Sequence, residues 1–255
     1  MTPTFQELFS EEYQRLNNGQ PLLISLIGAG GKTTTLLWLA QTFYQQGKRV
    51  LFTTTTKMYR PEPTTYHQLV IGKPPITTAT PAITACFSHY QPHNNKVAGF
   101  STEQIDQIKR QGEFDVILVE ADGSHGLPLK APARHEPCIP SSSDCVIALT
   151  GSQVINRPAD PQQIHRWEIF SALTGVAAGE PLDSRVFRTL IAHPQGMFKG
   201  APAGARRVWL INQFSHSDSQ LDPAWLELLQ QDAALSAIWL GAVPQNPAIR
   251  HCLRA

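Results

Sequence analysis

A glycine-rich octet, GAGGKTTT (Gly28–Thr35), joins a continuous apolar run to an amphipathic one. Glycines let backbone N–H groups approach an anion closely, a helix N-terminus carries partial positive charge, and lysine adds a mobile cation. Gly28, Ala29, Gly30, Gly31, Lys32, Thr33 and Thr34 are therefore a candidate cradle for the phosphates of a nucleotide. The spacing is shorter than the full P-loop pattern G-x-x-x-x-G-K-[ST]. Leu26 stands where the first glycine of that pattern would be, and G-x-G-G-K-T remains. Three glycines this close lose much backbone entropy on folding, which argues for a use beyond a turn. A second constellation, VILVEADGS (Val116–Ser124), closes an apolar run with two carboxylates. Two positions apart on a strand, Glu120 and Asp122 share one side. Acids paired at a buried strand end call for a cation. Thr33, Glu120 and Asp122 are thus candidate Mg²⁺ ligands, and Lys32, Glu120 and Asp122 the candidate catalytic set; residue types alone do not rank the two acids.

A further group could hold an anionic partner. Lys57 follows a threonine run, TTTTK, at the end of a second apolar strand. Lys130, Arg134, His135 and Glu136 cluster in the proline-rich stretch Gly123–Ser143, with His125 nearby, and His165 and Arg166 open a later helical segment. Charged groups on a loop stiffened by proline suit the positioning of a second reactant. The four cysteines lie far apart without a C-x-x-C pair, so they read as reduced, mostly buried thiols.

The elements that must position these groups follow from periodicity. Short apolar runs at Pro21–Ile27, Arg49–Thr55, Asp115–Val119, Asp144–Leu149, Arg207–Ile211 and Ala237–Gly241 predict strands buried on both faces. Helical spacing predicts helices over Lys32–Gln46, Thr102–Gln111, Gln162–Thr174, Asp183–His193 and Asp222–Ala234. Alternating strands and helices imply a mainly parallel sheet with helices on both faces, an α/β fold of P-loop NTPase-like class. Tyr59–Phe100 is rich in Pro and Thr with one short strand at Gln68–Ile71, and predicts a small insertion or subdomain. Gly123–Ser143 predicts a rigid loop without strand or helix. The expectation is one α/β domain over residues 1–255 with an insertion at 59–100.

Composition excludes some partners. Lys plus Arg (21) nearly balance Asp plus Glu (20) and the basic residues are scattered, so neither nucleic acid nor an acidic membrane surface is expected. The N-terminal segment carries Glu7, Glu11 and Glu12 and no apolar core, which predicts a cytoplasmic protein rather than a secreted one.

GAGGKTTTLLWLA, VLFTTTTKM and VILVEADGSHGLPLKAPARHEPCIP, followed in order by IHRWEIF, HPQGMFKG and VWLINQ, resemble the YqeC family of accessory proteins for selenium-dependent molybdenum hydroxylases. The similarity runs from about Leu22 to Asn212, and the EADGS-to-EPCIP block is its most specific part. The resemblance implies a nucleotide-binding protein of P-loop type, using Mg²⁺ with ATP or GTP, that serves maturation of a selenium-containing molybdenum cofactor. Its partners would be an anionic selenium or molybdopterin species and the apo-hydroxylase. E-x-x-G at Glu120–Gly123 is also similar to the carboxylate motif of metallochaperone GTPases, and the short G-x-G-G-K-T-T loop to the ATP loop of Mur-type ligases. GTPases of the first kind read guanine with Asn-Lys-x-Asp; the corresponding Asn212-Gln213-Phe214-Ser215 lacks the lysine and the aspartate. Nucleotide hydrolysis is the leading expectation. The alternatives are a Mur-like ligase or kinase, and a nucleotide-gated binding module without meaningful turnover.

Overall fold

Two short helices, α1 (Phe5–Leu8) and α2 (Ser10–Asn17), precede strand β1 (Leu22–Gly28), helix α3 (Lys32–Gln45) and strand β2 (Val50–Thr54). The next segment carries β3 (Lys57–Tyr59), β4 (Gln68–Ile71), β5 (Ile83–Phe87), β6 (His89–Gln91) and β7 (Lys96–Ala98). Helix α4 (Thr102–Gln111), β8 (Val116–Glu120), β9 (Leu129–Lys130), β10 (Cys145–Gly151) and β11 (Ile164–His165) follow. The chain continues through α5 (Trp167–Thr174), α6 (Ser184–Ala192), β12 (Arg206–Asn212), β13 (Ala237–Gly241) and β14 (Ile249–Arg254). This computed structural model describes residues 2–73, 75, 79–214, 224–225, 227–228, 235–243 and 245–254.

Among the described residues, nine strands form one sheet in the order β14-β13-β12-β10-β1-β8-β2-β5-β4, parallel throughout except for β14. β1 sits centrally, between β10 and β8, so its C-terminal end meets the ends of both neighbours. The strands are apolar on both sides because both sides are covered. Leu22, Ile24 and Leu26 enter one core with Leu36, Leu39 and Phe43 of α3. Leu23 and Ile27 enter the other, with Ile105 of α4, Phe170 of α5 and Leu190 of α6. Alternation along a strand sends successive side chains to opposite layers, and here both layers are hydrophobic. The mainly parallel α/β architecture expected from the sequence is the one observed. No helix among the described residues is long and apolar enough to cross a membrane.

Several elements differ from expectation. Tyr59–Phe100 supplies two strands of the main sheet, β4 and β5, where one short strand was expected. Lys57–Tyr59, His89–Gln91 and Lys96–Ala98 make a three-stranded antiparallel sheet, β3-β7-β6. β5 (ITACF) is wholly buried but short and lies beyond a Pro/Thr-rich stretch, so neither its length nor its alternation marks it. Gly123–Ser143 contains β9, which pairs with β11 over two residues. A two-residue pairing has no periodicity to read. That pairing also delays the helix expected from Gln162. Ile164 and His165 are committed to β11, Arg166 caps in the left-handed region (φ 63°), and the helix starts at Trp167. β14, antiparallel at one edge, was not expected. The helix expected over Asp222–Ala234 lies mostly outside the described residues, as does Ser215.

Candidate functional site

β1 delivers Gly28 to the C-terminal edge of the sheet, and the chain turns there into α3. Gly28 and Gly30 sit at φ 89° and 85°. A Cβ on Gly28 would lie 2.5 Å from the Leu149 carbonyl oxygen, and one on Gly30 would lie 2.4 Å from the Gly151 nitrogen. Backbone conformation and space both demand glycine. The first amides of the loop are already engaged. Gly28 N–H donates to Asp122 Oδ2 (3.0 Å), Ala29 N–H to the Leu149 carbonyl (2.9 Å) and Gly30 N–H to the Leu127 carbonyl (3.2 Å). These residues fasten the loop to its neighbours. The first backbone bond of α3 runs from Thr35 N–H to the Gly31 carbonyl, at 3.0 Å. The amides of Gly31, Lys32, Thr33 and Thr34 precede that bond and belong to the helix terminus, where an anion is favoured. Asn212 has a scaffolding role. Its Nδ2 donates to the Gly30 carbonyl (2.8 Å) and its Oδ1 accepts from Val243 N–H (3.0 Å), so the buried amide is committed to the loop.

The charged residues form a continuous row. Lys32 Nζ donates to the Gly28 carbonyl at 2.7 Å and lies 3.2 Å from Asp122 Oδ1. Asp122 Oδ2 is 3.0 Å from Lys130 Nζ, Lys130 also pairs with Glu136, and Glu136 pairs with Arg166. Burial opposes ionisation of Glu136, but the Arg166 and Lys130 hydrogen bonds and charges outweigh it and hold the carboxyl well below its usual range. Glu120 stands apart from this row and accepts a hydrogen bond from Thr33 Oγ1 at 2.7 Å. Burial raises the Glu120 pKa, against the opposing pull of Lys32 and the Thr33 hydroxyl. Glu120 and Asp122 both reach the loop, as their spacing requires, yet with different partners. Asp122 is held by two ammonium groups and an amide, whereas the Glu120 carboxylate accepts its hydrogen bond from the Thr33 hydroxyl. Thr33 Oγ1 and Glu120 Oε2 are hard oxygen donors side by side at a helix terminus. That set fits Mg²⁺, which takes one or two protein oxygens and completes its shell with phosphate and water.

A cleft of about 1050 Å³ opens from the first turn of α3 toward β2. Its lining includes Gly31–Thr34, Glu120, Thr55–Tyr59 and the loop around Ser124. Of the residues expected to meet an acceptor, Lys57, His135, Glu136, His165 and Arg166 line this cleft. Lys130 is buried beneath it, and Arg134 is exposed outside the lining. His125 stacks on His165 with ring centroids 4.6 Å apart. Burial, then Arg166, His125 and Lys130, lower the His165 pKa to about 4, so its imidazole is neutral at pH 7. The Cys138 thiol is pushed up, first by burial and then by Glu136 and Asp122, which keeps it protonated. Tyr59 and Lys96 also line the cleft, and nothing in the sequence singles them out. They are 37 positions apart and meet only through the register of β3 and β7.

The sequence model of the family described as "YqeC protein" matches residues 24–168. The Escherichia coli (strain K12) protein described as "Uncharacterized protein YqeC" is 44% identical over 236 residues, covering 90% of this chain and 91% of that protein.

Proposed function

The chain belongs to the YqeC family, and on that footing we propose that it binds a nucleoside triphosphate with Mg²⁺ and acts on its terminal phosphoryl group. The observation that carries this reading is the Thr33–Glu120 hydrogen bond, 2.7 Å long, beside Lys32 at the start of α3. It brings a metal-type donor pair to the place where amides and an ammonium favour phosphate oxygens. Bound Mg²⁺ supplies charge neutralisation across the terminal phosphates. Thr33 and Glu120 hold it, whereas Asp122 fixes Lys32 and the Gly28 amide in place. Lys32 exchanges the Gly28 carbonyl for a phosphate oxygen and stabilises charge as it develops. The first-turn amides orient the phosphate chain without moving. Asn212 is occupied by the loop and is not a free reader of guanine, which supports use of ATP or loose use of both nucleotides.

A cation-lined cleft continuing past the metal donors favours a second reactant, so transfer to an acceptor ranks beside simple hydrolysis. The resemblance to accessory proteins of molybdenum hydroxylases makes a selenium or molybdopterin species the proposed acceptor, with the apo-hydroxylase as partner. A nucleotide-gated docking role would give phosphate release only when that partner is added.

Lysine to phosphate is a charge-assisted contact of about 1.5–3 kcal/mol, so Lys32→Ala weakens nucleotide affinity roughly 10- to 100-fold. Titration calorimetry with Mg²⁺ and a non-hydrolysable ATP analogue measures it. Equal affinity in wild type and variant would overturn the reading.

A further inference from the structure

The cleft wall made by β3 and β7 is one face of the small antiparallel sheet. Alternation along β3 exposes Lys57 and Tyr59 and buries Met58. Register sets Lys57 opposite Ala98 and Tyr59 opposite Lys96, and all four line the cleft. Met58 and Val97 anchor the other face in the core. Tyr59 is 68% exposed, the most exposed large apolar side chain among the described residues. The Lys96 ammonium lies 5.1 Å from its ring centroid, within cation–π range. Neither β3 nor β7 carries a carboxylate.

This wall is rigidly tied to the metal donors. Thr55 N–H donates to the Glu120 carbonyl at 3.1 Å. Gly99 N–H donates to Thr56 and Phe100 N–H to Thr54, both at 3.1 Å. Gly99 packs so closely that a Cβ there would lie 1.3 Å from the Thr54 carbonyl oxygen. Tyr59 is four residues past Thr55, so its backbone is within about 14 Å of that anchor at full extension.

We infer that this wall holds the second ligand of the cleft, a planar heteroaromatic anion stacked on Tyr59 with Lys57 and Lys96 meeting its charge. The inference rests on the nucleotide reading for its orientation. In that reading Lys32, Thr33 and Glu120 would meet the terminal phosphates and so mark that end, and the cleft runs on from there to the small sheet. The nucleobase trails the other way. A compact tetrahedral anion would use the two lysines and leave the ring idle, whereas a planar anion uses all three. Stacking is sequence-tolerant among heterocycles because each offers a π-face.

The test uses three planar anions of increasing ring size, orotate, quinaldate and FMN, with inorganic phosphate as the non-planar control. Each is titrated into wild type, Tyr59→Ala, Tyr59→Phe and Lys57→Ala, with and without Mg²⁺ and a non-hydrolysable ATP analogue. Expected is saturable binding of at least one planar anion, weakened roughly 5- to 150-fold by Tyr59→Ala and retained by Tyr59→Phe. Lys57→Ala weakens it as well, and affinity for phosphate and for the ATP analogue is unchanged by Tyr59→Ala. Two results overturn the inference: no planar anion distinguishing wild type from Tyr59→Ala, or Tyr59→Ala weakening the ATP analogue itself, which would assign the ring to the nucleobase. Failure of the nucleotide reading registers separately, as unchanged ATP-analogue affinity in Lys32→Ala.

Discussion

Asp122 has two ammonium groups within reach, Lys32 at 3.2 Å and Lys130 at 3.0 Å. Were Lys32 to turn toward a phosphate, as proposed, Asp122 would keep Lys130 and the Gly28 amide and would not become an uncompensated buried charge. Lys130 serves Glu136 in the same way. Removing it leaves two buried carboxylates short of a partner, and breaking a buried pair from one side costs about 3–5 kcal/mol. Lys130→Met is expected to destabilise the protein by that amount in urea unfolding; a loss under about 1 kcal/mol would mean that the row contributes little. The type and neighbourhood of Lys130 suggest an acceptor contact when read along the chain. Its burial depends on the pairing of β9 with β11 and on where β8 ends, and neither is local to the residue. That Lys32, Thr33 and Glu120 come together was legible, because glycine, lysine and threonine adjoin in sequence and the acid closes an apolar run.

At the level of elements, the loop before α3 is held by strands on both sides of β1. β8 contributes through Asp122 just past its end, β10 through the Leu149 carbonyl, and β12 through Asn212. Asn212 also takes Val243 N–H, just beyond β13, and so joins that strand end to the loop. Asn212→Ala would strand the Val243 amide and release the Gly30 carbonyl. Leaving a buried partner unsatisfied costs roughly 1–3 kcal/mol. The variant is expected to lose that much stability, and to weaken nucleotide binding although Asn212 does not line the cleft. Calorimetry and thermal unfolding of one preparation check both effects, and a change in neither would rule out the scaffolding role. The central strands and α3 could be read from their own periodicity. β5, β9, β11 and the small sheet could not, because a short strand is defined by its partner and the partner is far away in sequence.

For the whole molecule, acid sensitivity arises where titratable groups are shifted on folding, and Glu120, Glu136 and His165 of the cleft are among them. His165 has a folded pKa of about 4 against 6.5 ordinarily, so the folded state favours its neutral form. That contribution is complete above pH 6.5 and is lost as pH falls toward 4. Glu136 is lowered from 4.5, so its contribution is complete above that value and is lost on further acidification. Glu120, raised by burial, acts in the opposite sense. Stability measured between pH 7 and 4.5 should therefore fall less steeply in His165→Gln than in wild type, with Glu120 common to both. Superimposable pH profiles would remove His165 from this account.

The charged row from Lys32 to Arg166 is odd-membered: three cations alternate with two carboxylates, and both cleft-facing ends are positive. Parity leaves it one surplus charge. An anion arriving at either end draws on that surplus, so a second anion at the other end meets a row already neutral in sum. Each occupant lowers the row's attraction for the other, and linkage makes the penalty equal in both directions.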